Sequence, residues 1–284
     1  MIKQLKLPSV LWDNNSVFTD YSVKAANFGR DTCSLAALSA TEDYFYFLNY
    51  KQFSAIYVEV STANASAIAL DLEYYNGTTW TDIVGDVDDT LGFSRSGFIQ
   101  WNVNQTDWAT VTVNSITDKY GIRFRPASNF DAGAAIYGVN IVYSDDQDLL
   151  MEAPEVANYL PASTSSFILR HQAARDDIVQ DIRNSGKYKI NYSDGQNKNI
   201  DVWDFLDIDE IRVWSKYLVL SKIFENLSTV KDDVYWARAE GFKNKALTAA
   251  KLYYLTLDID DDGITDVEER LGTSFGSISI IKTG

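Results

Sequence analysis

The feature that most constrains this chain is a change in the period of its apolar residues. Residues 54–83, "SAIYVEVSTANASAIALDLEYYNGTTWTDI", alternate apolar and polar side chains, as a strand does when one of its faces is buried. From about Ser165 onward the apolar residues instead recur three or four apart, the spacing of a helix face. Between the two regimes runs "SDDQDLLMEAPEVANYLPASTSS", with two prolines and a cluster of small hydroxyl residues. A chain with two periods cannot form one uniform layer. The sequence therefore predicts an antiparallel β-sandwich, jelly-roll-like, over residues 1–145, a linker over 146–164, and a helical unit over 165–284.

Within the first region, Asn76-Gly77 sits between "LDLEYY" and "TTWTDI", and an Asn-Gly pair suits a type I′ hairpin, which needs positive φ at both central residues. Further strands are expected at "DYFYFL", "SGFIQWNV", "ATVTV", "YGIRFRP" and "AAIYGVNIVYS", separated by turn clusters such as "GDVDD", "NQTD" and "SNFDAG". Tyr46, Tyr57, Trp80, Trp101 and Trp108 are expected in the core or on the surface of the sandwich. In the second region, Ser165 or Ser166 can cap a helix carrying Ala174, Ile178 and Ile182 at four-residue intervals, with Gly186 as its stop. A second helix carries Val213, Tyr217, Leu220, Phe224 and Leu227 on one stripe and Ile211, Trp214 and Leu218 on another, so it should be mostly buried. A third, from about Lys231 to Leu255, carries Trp236, Phe242, Ala246, Ala250 and Tyr253. Together these predict a three-helix bundle, followed by a C-terminal arm, "SISIIKTG".

At 284 residues the chain is long enough for two cores. Its net charge of −15 is shared by both halves, which would repel a nucleic-acid backbone, so no specific nucleic-acid recognition is expected. No run approaches the apolar length of a membrane span, and the opening "MIKQLKLPSVLWDNN" lacks a leader's apolar segment; no membrane attachment is expected. The single cysteine, Cys33, excludes an intrachain disulfide framework and suits a protein made in a reducing cytoplasm.

Catalytic chemistry finds little to work with. The only histidine, His171, lies within the first helix with no G-x-S-x-G nearby, and a solvated helix-face residue is expected. No phosphate-cradling glycine motif occurs, and one histidine with one cysteine cannot make a zinc site. Carboxylates in "DVDD" (Asp86 to Asp89) or "DFLDIDE" (Asp204 to Glu210) could in principle supply an acid and a base for glycoside hydrolysis, but such clusters commonly cap helices and turns. No enzyme is expected. "YYNGTTW" places Tyr74, Tyr75 and Trp80 on one hairpin, where they either stack on a sugar or pack in the core.

The most pointed motif is "DIDDDGITDVEE". It fits the calcium-loop pattern at Asp258, Asp260, Asp262, Gly263 and Glu269. In that reading Asp258, Asp260 and Asp262 offer side-chain oxygens, Ile264 its carbonyl, Asp266 a direct or water-borne ligand, and Glu269 a bidentate closure. Such oxygens suit Ca²⁺ in a structural role. The competing reading is a solvated acidic turn leading into a short helix, "TDVEERLG".

The segment from "EDYFYFL" through "YYNGTTW" to "SGFIQWN" resembles β-sandwich modules of tailed-bacteriophage virion proteins. The helices "HQAARDDIVQDIR", "DEIRVWSKYLVLSKIF" and "DDVYWARAEGFKNKALTAA", with the closing "LTLDIDDDG", are similar to phage head-tail connector proteins. The resemblance implies a structural virion component, a head-tail adaptor or neck ring protein. Its partners would be copies of itself in a ring, the portal protein, and a tail or second neck protein. The sandwich is a departure, since simple adaptors lack it. The alternative is a calcium-stabilised glycan-binding or host-adhesion tail protein; in either case the location is the virion.

Overall fold

The structure, a computed structural model, describes residues 8–26, 31–36, 38–41, 43–101, 107–160, 166–184, 190–191, 197–198, 200–205, 207–230, 233–252, 254–256 and 270–272. The chain divides into two compact units, residues 1–141 and 142–284.

The first unit holds two antiparallel sheets. The larger runs in the order β2 (Val17–Asp20), β1 (Ser9–Asn14), β4 (Tyr44–Asn49), β11 (Ile116–Pro126), β6 (Leu70–Tyr75), β7 (Trp80–Asp82), with β10 (Thr110–Val113) also on β11. The smaller runs β3 (Cys33–Ser34), β12 (Ala135–Asn140), β5 (Ala55–Thr62), β9 (Gly97–Gln100), β8 (Val87–Asp88). A short helix, α1 (Ser22–Ala25), follows β2.

Strand β4 shows how the larger sheet is built. Its register with β11 and β1 puts Phe45 and Phe47 on one face with Ile122, Phe124 and Val10, and puts Tyr46 and Leu48 on the other with Leu11. Both faces are covered, because Tyr46 and Leu48 join Leu11 and Val113 in a second small core, against which Phe18, Tyr44, Trp80, Val111 and Ile116 pack. The β11 strand makes this possible: its first half pairs with β10 and its second half with β4 and β6.

The hairpins differ from the expected chemistry. The β6–β7 connection spans four residues, with Tyr75 opposite Trp80, and only Gly77 lies at positive φ (91°). The Asn76 side chain closes the turn, accepting from the Thr78 and Thr79 backbone N–H groups. The two-residue turns with positive φ at both positions are Asn15-Ser16 and Asn114-Ser115, joining β1 to β2 and β10 to β11. Asparagine, which tolerates the left-handed region, holds the first position, and serine stands where the signal has glycine.

In the second unit the described part of the region expected as a linker, residues 146–160, is structured. Helix α2 (Asp146–Glu152) and a 3₁₀ turn (Pro154–Tyr159) occupy it, and Leu149, Ala153 and Val156 are buried in the helical core. Asp145 makes the reason visible: it and Asp148 form a reciprocal capping box at the start of α2. Helix α3 (Ile168–Asn184) begins where the Ser166 hydroxyl accepts from the Ile168 N–H, and Ala174, Ile178 and Ile182 are buried as their spacing predicts. Helix α4 (Asp209–Leu227) buries Ile211, Trp214, Val219, Leu220, Ile223 and Phe224. Helix α5 (Val234–Leu252) packs along α4, with Ala239 and Phe242 in the core that α4 shares, and also buries Ala246 and Ala250. Tyr235, Phe224, Phe242 and Tyr217 form a near-parallel column of rings, successive centroids lying 6.4, 5.6 and 6.2 Å apart. Two short pairs complete the unit, β13 (Ile190–Asn191) with β14 (Asn197–Lys198) and β15 (Tyr254–Thr256) with β16 (Arg270–Gly272).

Candidate functional site

The period-two pattern of β4, β11, β6 and β7 places four kinds of side chain on one face of the larger sheet. Arg123 faces Tyr46 on one side and Glu73 on the other, and Trp80 faces Tyr75 across the β6–β7 turn. The Arg123 guanidinium lies 3.8 Å from the Tyr44 ring centroid and 4.7 Å from that of Trp80. Its Nε donates to Glu73 at 2.5 Å. Burial works against the Arg123 charge, but Glu73 and Tyr46 outweigh it and hold its pKa up. Burial likewise raises the Tyr46 hydroxyl, against the pull of Arg123. The result is a cation between two π faces, with Tyr75 edge-on to Trp80 at 5.6 Å.

This arrangement splits the aromatic trio that the sequence groups together. Tyr75 and Trp80 share the Arg123 face; Tyr74 points to the opposite side, is buried, and donates its hydroxyl to Asp107 at 2.8 Å. Arg123 and Tyr44 were missed in the sequence. The available signal was the alternation in "YGIRFRP", which puts Arg123 and Arg125 on one face while Ile122 and Phe124 fill the other.

The carboxylate clusters raised for hydrolysis are engaged in the fold. Asp88 accepts from the Thr90 N–H and hydroxyl and from the Gly92 N–H. Asp86 has its pKa raised by burial, with Asp88 and Asp71 adding to the effect. In the helical unit, Asp204 is fully buried and accepts from the Asp201 N–H at 2.5 Å. Glu210 accepts from both the N–H and the hydroxyl of Thr256, tying β15 to the start of α4.

His171 corrects the sequence reading: it is 1% exposed rather than solvated. Its Nδ1 lies 2.9 Å from the Ser144 hydroxyl, which lies 2.8 Å from that of Ser215; its Nε2 lies 3.1 Å from Asp146. A neutral His171 that donates from Nε2 satisfies the chain in one direction, Ser215 to Ser144 to His171 to Asp146. The constellation has the members of a nucleophilic triad, yet both hydroxyls are sealed from solvent and Asp146 also accepts from the Phe167 N–H. It joins three segments, the start of α2, α3 and α4, and offers no approach to a substrate. Cys33 is also buried, and burial pushes its thiol up to about 11, away from nucleophilic use.

The proposed calcium ligands Asp258, Asp260, Asp262, Ile264, Asp266 and Glu269 lie outside the described residues, as does the arm "SISIIKTG". Their frame is described: Thr256 pairs with Arg270, so residues 257–269 connect two antiparallel strands, and Arg270–Gly272 is strand where the competing reading had a helix. Among the described residues no group of three or more His, Cys, Asp or Glu side chains is placed to hold a metal ion. No described helix is long and apolar enough to cross a membrane. No protein-family model and no curated protein matches this chain.

Proposed function

We propose that this chain is a structural component of a tailed-bacteriophage particle, a head-tail adaptor or neck ring protein without catalytic residues. The observation that carries this reading is the run of three helices, α3, α4 and α5, over the segments whose sequence is similar to connector proteins. In this reading the helices form a bundle that makes repeated contacts with copies of itself, the two sheets form a jelly-roll-like sandwich carried outward, and the C-terminal segment is an arm. The engagement of Asp88, Asp204, Glu210 and His171 within the fold supports a non-catalytic role. Antibody-gold labelling of tailed particles with an antibody against residues 1–145 tests it. Label at the junction of capsid and tail is expected. Label at distal fibres points to the adhesion reading, and unlabelled particles overturn the assignment.

The Tyr44–Arg123–Trp80 stack favours the second reading, a glycan-binding or adhesion protein, because half-exposed aromatic rings beside a fixed cation suit a sugar face. In both readings Ca²⁺ bound by the Asp258–Glu269 loop pins the β15–β16 connection. Replacing Asp258 and Asp262 by Asn then lowers Tm in calcium buffer and has no effect in chelator; equal melting of the wild-type protein with and without chelator removes the metal.

A further inference from the structure

Strand β4 reads "YFYFLN", and its buried alternate positions are Phe45, Phe47 and then Asn49. An amide thus occupies a place that the period reserves for an apolar residue. Asn49 is 0% exposed, and among the described residues neither its Oδ1 nor its Nδ2 has a hydrogen-bond partner. Three neighbours repeat the anomaly. Gln52, Trp101 and Trp108 are 7, 5 and 5% exposed, and among the described residues the Gln52 Oε1 and both indole Nε1 atoms are without a partner.

Contacts link these residues. The Gln52 Nε2 donates to the Trp108 carbonyl at 3.3 Å, which fixes which end of that amide is left open. The Phe53 ring packs on Trp101 at 5.3 Å and on Trp108 at 5.4 Å. Tyr120, the register partner of Asn49, packs on Trp108 at 6.0 Å. Buried polar groups nearly always find partners, and leaving five unpaired in one region would cost a sum comparable with a domain's whole stability.

We infer that this end of the β unit is a binding site for small neutral hydroxyl groups, walled by Phe53, Trp101, Trp108 and Tyr120. The donor and acceptor set decides the class of ligand. Three donors (Asn49 Nδ2 and the two indoles) disfavour a cation, and two amide oxygens disfavour an anion. A group that both donates and accepts suits each of the five atoms, and swapping the ends of the Asn49 amide leaves the count unchanged. Water and the hydroxyls of a polyol or single sugar share that chemistry. The site lies on the face of β4 opposite Arg123 and does not depend on the virion assignment.

The test is NMR of the intact protein with ¹⁵N-labelled tryptophan, the Trp101 and Trp108 indole signals being assigned through Trp→Phe variants. Cross-peaks from both indole protons to a long-lived water identify water as the occupant. Shifts of these two signals on adding glycerol or D-galactose, with that of Trp236 on α5 unmoved, identify a polyol. Neither response overturns the site. Asn49→Leu gives an independent reading with opposite signs. If the site is filled, Tm falls and the response at both indoles is lost; if the amide is truly unpaired, its removal raises Tm and the inference fails.

Discussion

The two units use the chain's many carboxylates differently. In the β unit, apart from Glu73 and Asp71 on Arg123 and Arg125, they hold turn and loop backbone: Asp13 accepts from the Ser16 N–H, Asp43 from those of Asn15 and Ser39, and Asp131 from that of Ala65. In the helical unit they cap helices and neutralise cations on other helices. Asp233 accepts from the Trp236 N–H at the start of α5, Arg212 of α4 pairs with Asp148, and Glu152 meets Lys216 and Lys245. A turn carboxylate fixes backbone conformation, whereas an interhelical ion pair adds a screened attraction to a packing that apolar side chains already hold. Breaking the β unit at its turns should therefore cost more than breaking the helical unit at its charges.

The sharpest case is the loop from Asp88 to Phe93, where Leu91, Gly92 and Phe93 all lie at positive φ. A Cβ on Gly92 would lie 2.2 Å from the Ile68 carbonyl oxygen. Gly92→Ala should cost about 4 kcal/mol or more, by urea denaturation, since it combines a backbone collision with a left-handed φ. Gly85 also has positive φ, but open space surrounds it, so Gly85→Ala should cost only about 1 kcal/mol. Equal losses at the two positions would show that the positive φ they share, and not the Ile68 collision, sets the cost at Gly92.

In the helical unit the largest loss belongs to packing. Phe224→Ala removes the ring that stacks on Phe242 and Tyr235 and carries Arg238 4.8 Å above it, and should cost about 3 to 4 kcal/mol. The buried polar chain comes next. His171→Leu leaves Ser144 paired with Ser215 but takes the imidazole from Asp146, and should cost about 2 kcal/mol. A double-mutant cycle with Ser215→Ala measures how much of that loss passes through Ser144. Hydrolytic activity in the wild-type protein that His171→Leu abolishes without loss of stability would give the constellation a catalytic role.

What the sequence made legible follows the range of the interactions involved. The helices were readable because Ala174, Ile178 and Ile182 declare their face within one segment. The strands were readable one at a time, but their order was not, since β1 joins β4 and β5 joins β12 through pairings far apart along the chain. The burial of His171 has the same origin: its partners Ser144 and Asp146 lie 27 and 25 positions away, and no local pattern announces them. Asn15-Ser16 and Asn114-Ser115 are not legible because serine in place of glycine at the second position carries no local signal of positive φ. The linker was misread because two prolines and a serine run outweighed Leu149 and Val156, whose burial is set by helices elsewhere in the unit.

The smallest expected effect tests the charge side of the comparison. Lys245, with Lys216 behind it, holds the Glu152 carboxyl below its usual value of 4.5. A depressed folded-state pKa means that the stabilisation is fully present above that usual value and is lost as pH falls through the lower, folded one. Glu152→Gln should therefore reduce Tm slightly at neutral pH and flatten the acid limb of Tm against pH below about 4.5. The carboxylate is partly exposed, so the effect should stay under about 1 kcal/mol and shrink at high salt. Asp233 provides the contrast within the same unit, because its carboxyl is held low first by the Trp236 N–H and not by a cation. Its acid dependence should survive high salt while that of Glu152 fades. If both fade together, the cap at α5 works through charge rather than through its hydrogen bonds, and the division between turn-like and ion-pair carboxylates fails there.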